Sequence, residues 1–378
     1  MPYWRLSSIY FFYFSVVGGM SPYWGLYLQD LHFEAHQIGA LIAVPMVTKL
    51  VAPNLWSWLS DRVGKRMLII RLGALGACLA FIGVFFLQDY FALMAIVALY
   101  SVFWNAVLPQ FESITLSYLG DKVHHYSRVR LWGSIGFIVT VVFLGWWFDV
   151  FGVHWLPSFL FVFLLGIFLF ACTLPALPSV KHESHWQDFI DDLKQNRAYI
   201  FFIVLFFLQF SHGAYYGFYS IYMESHGYSK TVIGLLWALG VTSEIVVFIY
   251  VPQIFRAASA YSLLSFTLLM SALRWLLIAF FPHNFVLVFV AQCIHALSFG
   301  MAHALAIHFI KHSFKESAQG QGQALYSAFS FGGGAAIGAY TSGLIWDASA
   351  TFTFVLSAGL AFVAWLICYL FIPKSILR

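Results

Sequence analysis

The sequence predicts an all-α membrane protein whose 12 transmembrane helices form two pseudo-symmetric bundles of six. Three observations lead to this fold class: an apolar composition, twelve long apolar segments and an internal repeat. Hydrophobic residues make up 62% of the 378 residues and charged residues only 9%, whereas soluble proteins have about 45–50% and about 25%. So few charges cannot cover a soluble surface, and 42 Phe, 20 Tyr and 14 Trp exclude intrinsic disorder because they demand burial.

Other classes of membrane and binding protein are excluded by pattern. Apolar runs such as residues 159–170 and 201–208 are continuous, whereas the strands of a β-barrel alternate apolar and polar residues. The first apolar stretch continues to about Tyr27 without a small-residue cleavage site, so we interpret it as a retained span and not a signal peptide. The four cysteines lie in apolar runs without a CxxC pair, which predicts packing residues and no metal, redox or cofactor site: Cys78, Cys172, Cys293 and Cys368.

A helix needs about 20 apolar residues to cross a bilayer, and the sequence contains twelve such segments. They cover residues 7–29, 38–60, 67–87, 90–119, 128–150, 155–175, 199–225, 229–253, 259–281, 283–311, 319–345 and 350–372. Most connections are short, but residues 176–198 carry seven charges and divide the spans six and six. We therefore predict an N-terminal bundle over 1–175, a cytoplasmic linker over 176–198 and a C-terminal bundle over 199–378.

Basic residues predict the orientation. Fifteen of them fall on the side that holds both termini and the linker, whereas the opposite side has only Lys230. By the positive-inside rule, both termini and the linker are expected in the cytoplasm. The net charge of +4 therefore reflects membrane topology and not nucleic-acid binding.

The two halves align with each other at an offset of 195 residues over their first four spans. Ile38 and Gly39 then match Ile233 and Gly234. At the same offset, Lys49 matches Glu244, so two intramembrane charges of opposite sign occupy equivalent positions. Parallel six-span repeats with a site between them at the bilayer midplane are a transporter architecture. We expect Lys49 and Glu244 to face each other, either as an ion pair or as two poles of a binding site.

Charged residues inside spans are the main functional candidates, because an unpaired charge at mid-bilayer costs at least about 2.5–3.5 kcal/mol. A structural alternative stays open, in which Glu112–Arg130 and Lys49–Glu244 only neutralise each other and the histidines only join helices. Tyr215, Tyr219 and Tyr222 share a helix face and line either the cavity or a packing stripe. The charged and titratable set is Lys49, Glu112, Arg130, Glu244, Arg274, His212, His295 and His303.

Several motifs together resemble the major facilitator superfamily. Residues 60–66 (SDRVGKR) match the cytoplasmic loop that follows the second span in that superfamily. The resemblance implies the major facilitator fold and a gating role for this loop. The residues that carry this role would be Asp61, Arg62, Gly64, Lys65 and Arg66.

A narrower resemblance is to the lactose permease-like branch. The segment 105–112 (NAVLPQFE) followed by 128–133 (RVRLWG) resembles the part of that branch in which an acid and an arginine bind substrate, which maps onto Glu112 and Arg130. The eighth-span acid of proton coupling corresponds to Glu244, the ninth-span arginine to Arg274 and the tenth-span histidine to His295. The tenth-span acid of the branch falls at Ser298, so the protonation role moves to Glu244.

Nearly the whole chain resembles the phenylpropionate permease group, through segments such as 127–134 (SRVRLWGS) and 212–218 (HGAYYGF). That resemblance implies a monomeric, multi-pass protein of the bacterial inner membrane that takes up an aromatic carboxylate such as 3-phenylpropionate with protons. The substrate-binding candidates are Lys49, Asn105, Glu112, Arg130, His212, Tyr215, Tyr219 and Trp237. The proton-coupling candidates are Glu244, Arg274, His295 and His303.

We expect protonation of Glu244 to release Lys49 for the substrate carboxylate, with His295 tuning that proton. Two other transport functions stay open on the same scaffold. One is a proton-coupled sugar or nucleoside symporter, in which Glu112 and Arg130 would bind hydroxyl groups. The other is an efflux antiporter, because these residues do not define direction. An enzyme is not expected, since no nucleophile–base set or cofactor loop is present.

Overall fold

The computed structural model describes residues 2–176, 186–195 and 198–373, and within these ranges all regular secondary structure is helical. Ten helical segments are long and apolar enough to cross a membrane. Two more segments, Tyr3–Asp30 and the helical stretch from Gln319 to Trp346, coincide with the first and eleventh predicted spans. The described structure is therefore compatible with twelve spans. Lys181, Arg197, Lys374 and Arg378, which contribute to the predicted orientation, lie outside the described residues.

The chain forms two compact units. The first unit comprises Met1–Lys181 together with Gly227–Ala238, and the second comprises His182–His226 and Leu239–Arg378. The start of one long helix is thus grouped with the first unit and its remainder with the second. The predicted division at 176–198 stays a prediction.

The first unit is built around three helix pairs. Its helices are α1 (Tyr3–Asp30), α2 (Ala35–Thr48), α3 (Ala52–Val63), α4 (Arg66–Phe81), α5 (Tyr90–Leu119), α6 (Tyr126–Phe151) and α7 (Leu156–Thr173). Helix α1 packs against α6 and α7, and α4 packs against α5. Asp89 caps α5 by accepting a hydrogen bond from the Ala92 amide at 3.0 Å, the usual role of an aspartate at this position. The second predicted span is interrupted, since α2 ends at Thr48 and α3 begins at Ala52.

The second unit contains more helix interruptions than the first. Its helices are α8 (Trp186–Gln195), α9 (Ala198–Ser211), α10 (Gly213–Ser225), α11 (Lys230–Ala257), α12 (Ala260–Phe280), α13 (Phe285–His295), α14 (Ala302–Ser313), α15 (Gln319–Tyr326), α16 (Ala335–Trp346) and α17 (Ala350–Phe371). Helix α12 packs against α17, and α10 packs against α16. The predicted seventh span divides at His212, and π-helical turns at Ala296–Met301 and Ser327–Gly334 interrupt the tenth and eleventh.

Candidate substrate and proton sites

Lys49 lies at the helix break in the first unit. It follows the last residue of α2 and is the first of three residues without helical structure before the start of α3. Pro45 within α2 and Pro53 at the start of α3 flank the break, which fits the tendency of proline to interrupt a helix. Within the described residues, the Lys49 ammonium has no hydrogen bond or ion pair, and the residue is partly exposed. The break thus presents a cation that can take an external anion as its partner.

Asn105 holds this break in place. Its side-chain amide donates to the Thr48 hydroxyl at 2.8 Å and to the Pro45 carbonyl at 3.2 Å. The residue is buried in the middle of α5. Asn105 therefore positions the end of α2 beside Lys49, and its role in substrate binding stays a prediction.

Glu112 and Arg130 lie in the same unit but form no ion pair. Among the described residues, no contact of 4.0 Å or less joins the two side chains, although Glu112 interacts electrostatically with Arg130 and Tyr126. The Arg130 guanidinium instead lies 3.9 Å from the centre of the Phe14 ring and 5.7 Å from that of Tyr10. Stacking on an aromatic face leaves the hydrogen-bonding edge of a guanidinium open to a ligand.

The 60–66 loop is a tight turn between α3 and α4. Gly64 has a φ of 68°, a left-handed conformation that glycine adopts without strain. Asp61 lies in the last turn of α3, and its carboxylate meets Arg66, the first residue of α4, at 3.4 Å. Arg66 also donates to the Ser113 hydroxyl, and Arg62 lies over the Trp58 ring at 5.3 Å. Lys65 immediately precedes α4.

Arg274 is the centre of the polar cluster in the second unit. It is fully buried in α12, and its guanidinium donates to the Ala291 carbonyl at 3.1 Å, the Ser298 hydroxyl at 3.2 Å and the Gln292 amide oxygen at 3.4 Å. All three acceptors are neutral. Two rings complete the surroundings, since Arg274 lies 4.2 Å from the centre of Tyr215 and 4.4 Å from that of Trp275. Ser298, the position to which the resemblance assigns the acid of the lactose permease-like branch, is thus a hydrogen-bond partner of Arg274.

Glu244 and His295 share a hydrogen in this cluster. The His295 Nε2 and Glu244 Oε1 atoms are 2.7 Å apart, and both side chains are largely buried. A ring nitrogen and a carboxylate oxygen at this distance need one hydrogen between them. The Nδ1 atom of His295 is buried and has no hydrogen-bond partner within the described parts of the chain. The pair can therefore hold one proton and accept a second, which is the property that a coupling site requires.

Two glycines allow α11 to approach the histidine closely. A Cβ atom at Gly240 would lie 3.1 Å from the His295 ring, and one at Gly300 would lie 3.2 Å from the Glu244 Cγ atom. Gly300 belongs to the π-helical turn that begins immediately after His295. Such turns carry one extra residue and re-aim the side chains near them, and they occur frequently at functional sites.

Four more of the predicted residues lie in the second unit, and the fifth, Trp237, is grouped with the first unit. His212 lies at the break between α9 and α10, where its Nδ1 atom meets the Leu208 carbonyl at 2.8 Å and its ring contacts Trp275 edge-on. The Tyr215 hydroxyl donates to Gln292 at 3.1 Å, and the Tyr219 ring packs against Tyr215. His303, the second residue of α14, meets the Tyr326 hydroxyl at 3.3 Å. Trp237 is buried in the part of α11 that is grouped with the first unit.

Sequence reasoning missed Gln292 and Asp149. Gln292 accepts hydrogen bonds from both Arg274 and Tyr215, and its only sequence signal was a polar residue three positions before His295. Asp149, at the end of α6, accepts hydrogen bonds from the amides of Lys230 and Thr231 at 2.8 Å each. It thereby caps the start of α11 within the first unit, where a carboxylate is favoured by the helix dipole.

Comparison with known proteins agrees with this architecture. The sequence profile of the MFS_1 like family matches residues 3–356. A probable 3-phenylpropionic acid transporter of Escherichia coli K12 is 27% identical over 90% of this chain and 90% of its own. The maltose permease of Geobacillus stearothermophilus is 25% identical, covering 86% of this chain and 83% of its own. The crystal structure of the nucleoside transporter NupG superposes with a TM-score of 0.85 over 98% of both chains at 17% identity, a likeness in fold.

Proposed function

This chain belongs to the MFS_1 like family and is a multi-pass secondary transporter, and we propose that it imports a small organic acid together with protons. Its relatives are membrane transporters and not enzymes. The chain is accordingly expected to bind a small molecule within the bilayer and to expose its site alternately to each side. We place it in a bacterial inner membrane as a monomer with both termini in the cytoplasm.

One observation carries the proton part of the proposal, namely the 2.7 Å contact between His295 and Glu244 beside Arg274. With one shared hydrogen, the carboxylate offsets the guanidinium and this cluster is close to neutral. A second proton gives the cluster a positive charge. Because unbalanced charge is costly in a membrane interior, protonation favours the arrival of an anion.

A carboxylate substrate fits the cations that lack a carboxylate partner. Lys49 is the first choice for the substrate carboxylate, since its ammonium has no partner among the described residues, and Arg130 is the second. A phenyl ring would need aromatic contacts, for which Tyr215, Tyr219 and Trp237 stay the predicted candidates. The named relative at 27% identity supports 3-phenylpropionate as the substrate to test first.

The coupling scheme follows from these roles. Proton and carboxylate enter together as an electrically neutral load, and the 60–66 loop, with its Asp61–Arg66 pair, gates the exchange between states. In this scheme, Glu244 is the protonated group, His295 shares its hydrogen and Arg274 balances its charge. His212 and His303 tune the surroundings of the cluster, and Glu112 helps Arg130 to orient the substrate.

A neutral sugar is the second candidate, because the maltose permease is 25% identical to this chain. Such a substrate would bind through hydrogen bonds to Glu112 and Arg130, whose side chains are not tied to each other, and Lys49 would then be dispensable. Export by antiport is the third possibility on the same residues.

Uptake by purified protein in liposomes tests the proposal. Labelled 3-phenylpropionate, maltose and uridine are each supplied to proteoliposomes with and without an inward proton gradient. We expect accumulation of 3-phenylpropionate that depends on the gradient and, at substrate concentrations below KM, falls by about tenfold in Lys49→Gln. If the gradient drove uptake of maltose or uridine but not of 3-phenylpropionate, the proposed organic acid would be wrong and the substrate would be a neutral molecule. Substrate loss from preloaded vesicles, driven by the inward gradient, would establish export.

A further inference from the structure

A basic cavity lies at one end of the first unit, and one of its residues, Arg128, precedes the substrate candidate Arg130 by two positions in α6. It has a volume of about 350 Å³ and is lined by Tyr3, Lys122, His125 and Arg128. The segment Gly120–His125 connects α5 to α6 and supplies two of these residues, and the first turns of α1 and α6 supply the others. By the positive-inside rule, this end of the unit faces the cytoplasm.

The cations of this cavity differ from three other arginines at the same end of the unit. Arg5 donates to the Thr173 carbonyl at the end of α7, Arg71 donates to the Leu174 carbonyl just after it, and Arg66 is paired with Asp61. In contrast, the side chains of Lys122 and Arg128 have neither a hydrogen bond nor an ion pair among the described residues. Asp121 precedes Lys122 but forms no ion pair with it in this part of the chain.

The cavity therefore concentrates positive charge without an internal anion. Desolvation, followed by the positive charges of His124, Arg128 and Lys122, lowers the pKa of His125. An anion bound here would relieve this repulsion. A phosphate group is suited to several converging cationic donors, since each of its oxygens accepts hydrogen bonds from lysine and arginine.

Aromatic residues beside the cavity indicate where the phosphate comes from. Trp4 is 66% exposed and contacts both Tyr3 and Trp132, and the Trp132 indole donates to the Tyr3 hydroxyl at 2.9 Å. Exposed Trp and Tyr rings concentrate at the level of lipid headgroups. Leu131, 44% exposed on α6, offers an apolar surface next to Arg128 for an acyl chain.

From this juxtaposition we propose that Tyr3, Lys122, His125 and Arg128 bind the phosphate of an anionic phospholipid headgroup at the cytoplasmic surface. The Tyr3 hydroxyl, which also meets the Arg128 carbonyl at 3.4 Å, keeps the start of α1 against α6 and so closes one wall of the site. The inference does not depend on which substrate is transported.

Native mass spectrometry of the purified protein tests the site. The probes are phosphatidylglycerol, phosphatidylcholine of the same chain length and inorganic phosphate. We expect one tightly retained phosphatidylglycerol on the wild type and roughly 30-fold weaker retention in Lys122→Gln/Arg128→Gln, because each basic residue near an anionic lipid contributes about 1 kcal/mol. The matched control, Arg256→Gln/Lys311→Gln, removes two cations from the ends of α11 and α14 and should bind as the wild type does.

A second measurement keeps the proposal testable if the double variant does not fold. Soluble short-chain phosphatidylglycerol should raise the unfolding temperature of the wild type, whereas short-chain phosphatidylcholine and inorganic phosphate should not. Equal effects of both lipids, or equal losses in the variant and its control, would overturn the proposal. Competition by inorganic phosphate at the same concentration as the lipid would also overturn it, since the site would then serve a free anion.

Discussion

The two units carry charges at repeat-equivalent positions but in different backbone settings. Lys49 follows a helix that ends at Thr48, whereas Glu244 lies inside the uninterrupted helix α11. The Lys49 ammonium has no partner in the described part of the chain, whereas Glu244 holds the His295 ring at 2.7 Å. The difference fits the two roles that we propose, since a side chain at a helix end can meet a ligand and one in a buried network can hold a proton.

The helix breaks and π-helical turns of the second unit lie beside its cluster of polar and titratable side chains. The break at His212 brings that ring against Trp275, and the π-helical turn after His295 contains both Ser298 and Gly300. In the first unit, the corresponding irregularity is the single break at Lys49 in the described residues. We therefore expect mutations to affect proton coupling mainly through the second unit and substrate affinity mainly through the first.

The largest effect on transport is expected from Arg274→Gln. In the proposed scheme the variant leaves the Glu244 charge unbalanced inside the membrane, and loss of one partner of a buried charge pair costs about 3–5 kcal/mol, so uptake should fall by more than about 100-fold. Arg274→Lys should not restore it, because one ammonium cannot reproduce the guanidinium fork and its stacking. Initial uptake rates check this, with Arg256→Gln as the control at an exposed end of α11. Near-normal uptake by Arg274→Lys would contradict the role given to the cluster.

A comparison of stability between two repeat-equivalent glycine variants, one in each unit, tests how tightly the helices pack in the two units. Gly18 and Gly213 are equivalent at the offset of 195, and each lets its helix contact the backbone of another. An added Cβ would lie 2.9 Å from the Phe137 carbonyl oxygen at Gly18, but 2.0 Å from the Gly338 backbone at Gly213. Overpacking costs about 1–3 kcal/mol, so Gly18→Ala should lower the unfolding temperature and Gly213→Ala should lower it further.

The matched control for both glycines is Gly359→Ala. An added Cβ there has no neighbour within 4 Å, so the better helix propensity of alanine should leave stability unchanged or slightly raised. Thermal unfolding of the three variants in detergent gives the order. A larger loss at Gly18 than at Gly213 would show that the two helix contacts do not differ in this way.

A smaller effect is expected from Lys49→Gln. Loss of the cation should raise the KM for a carboxylate substrate by about tenfold, equivalent to about 1.4 kcal/mol, and Lys49→Arg should recover most of it. The neutral alcohol analogue of the substrate should inhibit the wild type and Lys49→Gln equally, because it does not use the charge. If the KM for the carboxylate were unchanged in Lys49→Gln, the carboxylate would bind elsewhere, with Arg130 next to be tested.

The smallest effect is expected from Asn105→Ala. The variant loses the hydrogen bonds to Thr48 and Pro45, worth about 0.5–1.5 kcal/mol each, so KM should rise a few-fold while the ratio of protons to substrate stays constant. A double variant with Thr48→Val should be less than additive, because the two side chains share one bond. Ser117→Ala, which removes an exposed hydroxyl of the same helix, is the control.

The sequence predicted the helical membrane fold and the twelve segments because long apolar runs report span length directly. Apolar runs do not report backbone breaks, so the predicted spans at 38–60 and 199–225 were continuous. Pro45 and Pro53 were the available signals for the first break, and Gly213 was the signal for the second. The π-helical turns leave no trace in hydrophobicity, because one extra residue in a fully apolar span does not change its composition.

The sequence predicted which charged residues belong to the candidate site in the second unit, but not which partners their side chains contact. The resemblance placed Glu244, Arg274 and His295 in one functional group, and the structure brings these three residues together in the second unit. Contacts with neutral partners were not predictable, because Gln292 and the Ala291 carbonyl carry no charge that a membrane span would make conspicuous. The expected pairing of Lys49 with Glu244 stays a prediction.

The central claim is that Glu244 carries the proton while other residues bind the substrate. The most direct test is to measure proton movement when substrate is added. Proteoliposomes without a gradient are given 3-phenylpropionate, and the external pH and the exchange of labelled for unlabelled substrate are followed together. We predict that the wild type takes up protons with the substrate, and that Glu244→Gln exchanges substrate without moving protons. Proton uptake by Glu244→Gln at the wild-type ratio to substrate would contradict the account.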